Sequence, residues 1–244
     1  MKRILLLILC LVISYLAYGQ NNNDHKMLKE IEVSPPEFTG VMGAFDFTER
    51  EHTNPGSLNA YINAHIQYPE RALNQRREGK AIVRFTVQPS GELTDISVIN
   101  SIFPDIDDEV VRVLKTTEKM WRPGYNNKMP VAMEREVGIV FKLDNTRDFT
   151  VRASKFYSRG NTLLLVKHKA RRALHHFEQG ILLLPNEKCL LASRGIALYE
   201  LGNKEGACRD WNRIKVLGGI EADGWLDRFC EMKGYAEMLE IVNE

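Results

Sequence analysis

The sequence predicts an α+β chain: a ββαβ unit on a three-stranded antiparallel sheet in the amino-terminal half, and an all-helical carboxy-terminal half. Three observations carry this reading. Apolar residues occupy every second position at Ala81, Val83, Phe85 and Val87, and again at Val137, Ile139, Phe141 and Leu143, the period of a strand with one buried face. Between these runs, from Asp105, the period becomes about 3.6, with Ile106, Val110, Val113 and Leu114 on one side. Beyond Leu143 the alternation stops, and a spacing of 34 residues relates Ala173 to Ala207 and Phe177 to Trp211.

Taken in order, the first strand follows Gly79 and directs Lys80, Arg84, Thr86 and Gln88 away from its apolar face. Pro89-Ser90-Gly91 supplies a tight turn in which Gly91 can take a positive φ, and Leu93 to Ile99 returns as a strand rich in β-branched residues. Asp105, Asp107, Asp108 and Glu109 begin the helix, where negative charge complements the helix dipole. Trp121-Arg122-Pro123-Gly124 ends that run, and the third strand follows.

Asp144-Asn145-Thr146 breaks the chain. Helices are then expected near 152–166, 169–183, 187–200, 203–216 and 220–232, with a further short one after Gly234. Pro185 closes the first helix pair, Gly195 allows close packing in the second, and Gly202-Asn203 turns the chain between its helices. Each pair has an apolar face it cannot bury alone, so the pairs should stack. Two are fewer than the three that usually stand alone, so this half should also pack on the first.

At the amino terminus, Lys2-Arg3, the apolar run Ile4 to Leu16 and Ala17-Tyr18-Gly19 read as a signal peptide cleaved after Gly19. The run is shorter than the ~20 apolar residues that span a bilayer. The reading is therefore export to the periplasm without a stable membrane span. An uncleaved anchor is one alternative, and lipidation at Cys10, preceded by the unsuitable Leu9, is another. Residues 20–34 form a polar lead-in, 35–146 the sheet domain and 148–244 the helical domain. The formal net charge of +1 gives no electrostatic reason to expect nucleic acid as a partner.

Three cysteines follow the signal segment. Cys208, early on one helix, and Cys230, late on the next, could meet as a disulfide stapling the end of the array in an oxidising compartment. That bond is the expectation, with Cys189 reduced and buried; the alternative is three small buried thiols. His175 and His176 are adjacent and diverge on a helix, so with His168 and Cys189 they offer no zinc spacing. The acidic residues after Pro104 lack a calcium loop, and no phosphate loop or nucleophile elbow is present. No metal, cofactor or catalysis is expected.

The punctuation is more specific than the strand order. Tyr68-Pro69 before a short helix, Gly79, Gly91 and Trp121-Arg122-Pro123-Gly124 together resemble the C-terminal domain of TonB. Upstream, Pro36-Glu37-Phe38, Gly40 and Leu58, Tyr61, Ile62 and Ile66 resemble the approach in TonB-like proteins of Bacteroidetes. The helical spacing resembles tetratricopeptide repeats, with departures at Gly180 and at the glycine-free Lys167-His168-Lys169. The first resemblance implies a periplasmic module that captures a segment of an outer-membrane TonB-dependent receptor as an added strand. The third strand would receive it, near Gln67, Tyr68 and Pro69, with Glu134, Glu136, Gly138 and Val140 as outward positions. A TonB energy transducer needs an inner-membrane anchor and a Pro-rich spacer, so the combination reads as an adaptor. The other reading is an envelope scaffold that recognises partners through its helical surface.

Overall fold

The computed structural model describes residues 32–40 and 57–230; the expected signal peptide, most of the lead-in and the segment after Cys230 lie outside them. Two short strands, β1 (Val33–Ser34) and β2 (Glu37–Phe38), precede helices α1 (Leu58–His65) and α2 (Glu70–Asn74). Then come β3 (Gly79–Val87), β4 (Leu93–Asn100), α3 (Pro104–Lys115) and four strands: β5 (Trp121–Arg122), β6 (Gly124–Asn126), β7 (Met129–Val131) and β8 (Met133–Phe141). Antiparallel pairing gives the central sheet the order β4-β3-β8, and two smaller sheets have the orders β1-β6-β7 and β2-β5.

The alternation in β3 works as its pattern demands. Ala81, Val83, Phe85 and Val87 are buried and meet Ile106, Val110, Val113 and Leu114 of α3 in one core. Pro104 supplies the first position of α3, and Asp105 and Asp107 stand in its first turn. Gly91 takes φ +77°, the left-handed value its turn requires. The third strand is longer at its start than its apolar alternation suggests and stops at Phe141, so Leu143 is outside it; the Leu143 N–H donates instead to Glu78 Oε1 at 2.9 Å.

The small sheets had no readable signal, because strands of two or three residues carry no periodicity. They close one end of the core. Phe38 lies opposite Trp121, whose ring meets Phe85 edge-on at 5.1 Å and whose Nε1–H donates to Thr117 at 3.0 Å. The β6–β7 hairpin turns at Asn127 and Lys128 with φ of 49° and 65°, using asparagine and lysine where glycine is the usual signal.

The second half comprises α4 (Phe149–Asn161), a π-helical turn (Thr162–Val166), α5 (Ala170–Leu183), α6 (Lys188–Glu200), α7 (Lys204–Val216) and α8 (Asp223–Phe229). Asp148 caps α4 by accepting from Thr150 N–H, so the helix begins earlier than residue 152. The widened turn ends it differently from a continuous helix, leaving Leu164 buried but Leu165 and Val166 exposed. His168, at φ +50°, makes the turn that lacks a glycine. α8 is shorter than 220–232, since Gly218 adopts φ +74° and Ile220 to Ala222 form a turn.

The 34-residue spacing has a packing counterpart. Phe177 lies so close over Gly160 that a Cβ there would sit 2.4 Å from its ring, and Trp211 lies likewise over Gly195 at 2.3 Å. Gly180, the departure from the repeat pattern, seats Leu190 of the next helix. Cys208 and Cys230 are joined by a disulfide with Cα atoms 5.8 Å apart. Closing a 22-residue separation contributes about 3 kcal/mol in the chain-entropy model. Cys189 is free but exposed, correcting the expected burial; as the second residue of α6 it points outward while Leu190 and Leu191 turn into the core.

The helices pack on the sheet face opposite α3. Ile82 of β3 is only 3% exposed because the helical half covers it. A Cβ on Gly79 would stand 2.5 Å from the Leu182 carbonyl oxygen, so this close approach requires glycine. Arg152 of α4 pairs with Glu78 at 2.7 Å, and Thr146 and the Leu143 N–H complete the carboxylate's partners.

Candidate functional site: the open edge of β8

Strand β8 borders the sheet. It pairs residue for residue with β3, from Met133 opposite Val87 to Phe141 opposite Gly79, with no shift in register. Among the described residues no strand pairs with its other side. Half of its backbone hydrogen-bonding groups therefore form an extended, unbroken row open to an added strand. Val137, Ile139 and Phe141 anchor it from the α3 side.

Its other face carries the four outward positions read from the sequence, and they have different surroundings. Val140 is 56% exposed. Gly138 lies under the Lys80 side chain, whose Cε would be 2.4 Å from a Cβ at that position. Glu134 is mostly exposed, with its carboxylate 3.9 Å from Arg84. Glu136 is committed within the chain: Arg213 of α7 holds both its oxygens at 2.7 and 2.6 Å, and Arg84, directly opposite on β3, donates at 2.9 and 3.2 Å. Hydrogen bonds from Arg213 hold the Glu136 carboxyl below the usual range, with Arg84 assisting and partial burial opposing.

The Gln67-Tyr68-Pro69 segment meets this strand at one residue. The Tyr68 ring stands edge-on to Phe141 at 5.3 Å, and its hydroxyl donates to the Arg77 carbonyl. Burial, aided by nearby Glu78, pushes the Tyr68 phenol up. Tyr68 thus covers the end of the sheet while keeping its polar tip paired. Gln67 and Pro69 turn towards α3 instead. The Gln67 N–H donates to Glu109 at 2.7 Å, and the segment lines a groove of about 640 Å³ with Asp105, Asp108 and Arg112. The sequence-derived residues therefore form two neighbouring surfaces, linked by the Tyr68–Phe141 contact.

Sequence reasoning missed Arg213 and Asn186, which accepts from Arg213 at 2.9 Å. Helical periodicity shows which side of α7 is polar but not what that side meets. Arg84 was not discoverable either: pairing the two apolar runs end to end would place it opposite Val140, and only the observed register brings it to Glu136. Among the described residues no group of three His, Cys, Asp or Glu is placed to hold a metal ion, and no helix is long and apolar enough to cross a membrane.

No curated protein matches this sequence. Among solved structures, two solution structures of the Helicobacter pylori TonB C-terminal domain align. One, of residues 194–285, has 20% identity and a TM-score of 0.28 over 36% of this chain and 91% of that one. The other, of residues 179–285, has 23% identity and a TM-score of 0.30 over 38% and 90%. The Pseudomonas aeruginosa TonB C-terminal domain aligns with 27% identity and a TM-score of 0.24 over 34% and 82%. Residues 64–143, which hold the open-edged sheet, match the family model of the Gram-negative bacterial TonB protein C-terminal, a family of periplasmic protein-interaction modules.

Proposed function

We propose that the chain is a periplasmic module that captures an extended segment of an outer-membrane receptor or transport protein as a strand added to β8. The observation that carries this reading is the unbroken nine-residue register of β8 with β3 beside an edge that no described strand occupies. Backbone hydrogen bonds along 133–141 would give affinity, and the surroundings of Val140 and Glu134 would give selectivity. The helical half, read as a tetratricopeptide-like array, backs the receiving strand through Arg213 and Glu136, so the chain acts as an adaptor. Export by cleavage after Gly19 belongs to the same reading, and a native amino terminus at Gln20 is its expected signature.

Titration of the ¹⁵N-labelled mature protein with synthetic peptides from amino-terminal segments of outer-membrane receptors tests the proposal. The expected result is amide shifts concentrated on 133–141, with new exchange protection on alternate residues of β8. Shifts confined to residues 149–229 would favour recognition by the helical surface instead.

A further inference from the structure

A second site forms where the two halves meet. Arg209, Asn212, Arg213 and Val216 recur at spacings of three and four along α7 and share one stripe, while Ala207, Trp211 and Ile214 fill the helical core. The stripe faces the outer side of the sheet across a cleft of about 440 Å³, within the range of small-ligand cavities. Buried Ile82, Ile181 and Leu191 form its floor. On its walls Ile99 of β4 is 39% exposed and Val216 is 69% exposed, so apolar surface remains open to solvent there.

The cleft is cationic, but most of its charge is committed. Arg84 and Arg213 both end on Glu136, and Arg194 holds the buried Asp210 through two bonds of 2.7 and 2.6 Å. Glu178 adds to the field at Arg194 from an adjoining groove. Arg209 makes no ion pair among the described residues: Asp210, whose charge it feels, is already held by Arg194, and Arg209 also borders the adjoining groove that Glu178 lines. One uncommitted guanidinium above an apolar floor fits one negative charge on an apolar chain.

We infer that this cleft binds a carboxylate carried on an apolar chain, with Arg209 anchoring the carboxylate and Ile99 and Val216 receiving the chain. A free acyl carboxylate and the carboxyl terminus of a polypeptide ending in apolar residues share this chemistry. The inference does not rest on strand addition, since Arg209 is on α7 and takes no part in the β8 edge.

Calorimetric titration of the mature protein with octanoate and with N-acetyl-Leu-Leu, each beside its neutral amide, tests the site and separates the sources. At least one acid is expected to bind, with its amide weaker by about tenfold, and the acid that binds identifies the source. Arg209→Gln, at an exposed position, and Val216→Glu, which sets a negative charge at the mouth, should each weaken that acid by about tenfold with the thermal transition retained. No binding of either acid at millimolar concentration, equal binding of acid and amide, or wild-type affinity in either variant overturns the inference.

Discussion

Strands β8 and β4 both border the central sheet, yet only β8 keeps step with β3. Along β4 the register shifts twice, between Ile82 and Val83 and between Arg84 and Thr86. At the second shift Asp95 takes φ +52°, inserting an extra residue that bends the strand. Such bulges interrupt the row of free donors and acceptors that an incoming strand must match, a common protection of sheet edges. The comparison teaches that regular spacing, and not exposure alone, separates a receptive edge from a closed one. β8 has nine matched positions in succession, while β4 has short matched runs between bulges.

The largest expected effect comes from paired proline substitutions in β8. Residues of one parity donate to β3 and those of the other donate outward, so Val140→Pro and Arg135→Pro, both outside the buried core, should behave oppositely. One should lose a buried ladder bond and about 3 kcal/mol or more of stability in urea unfolding. The other should remain folded by circular dichroism while receptor-peptide affinity falls at least about tenfold. Undiminished affinity in the folded variant would refute strand addition at β8.

Deleting Asp95 sharpens the contrast from the other side. Without the extra residue, β4 should regain one-to-one pairing near Arg84 and Thr86 and become a second acceptor. The same peptides should then shift amides of 93–100 as well as 133–141, or the protein should self-associate in sedimentation experiments. A folded deletion variant that stays monomeric with an inert β4 would show that the bulge at Asp95 is not what closes this edge.

Arg213→Ala tests how far the helical half steadies the receiving strand. Its bonds with Glu136 are partly exposed and Arg84 remains as a partner, so the expected loss is only about 1 kcal/mol. Hydrogen exchange should quicken along 133–141 more than along 93–100. Equal acceleration in both strands would mean that Arg213 gives general stability without specific support for β8.

The smallest effect concerns acid. Glu136 is held below its ordinary range by Arg213 and Arg84; for Glu78, burial pushes upward but is outweighed by bonds from Leu143, Thr146 and Arg152. A depressed folded pKa stabilises above the unfolded value, about 4.3, and that contribution disappears as pH falls through the folded value. Urea midpoints should therefore drop below about pH 4.5, less steeply in Arg213→Ala. Unchanged midpoints between pH 6 and 3 would remove these carboxylates from the account.

The sequence by itself determined the central strands, α3 and most of the second-half helices, because each buries one face and burial imposes a period of 2 or 3.6 on its residues. The left-handed turn at Gly91 was legible as well, whereas for Cys208 and Cys230 the residues left a bond and separate buried thiols both open, and the structure joins them. Only the tertiary structure decided which surfaces those elements share. Ile82, on the face that carries Lys80 and Arg84, is buried because the helices cover it, and Glu136, an outward position by sequence, is held by Arg213 from 77 residues away. The bulge at Asp95, the two- and three-residue strands and the π turn were illegible for a related reason. They depend on how neighbouring segments meet, whereas periodicity records only which side of a segment is withdrawn from water.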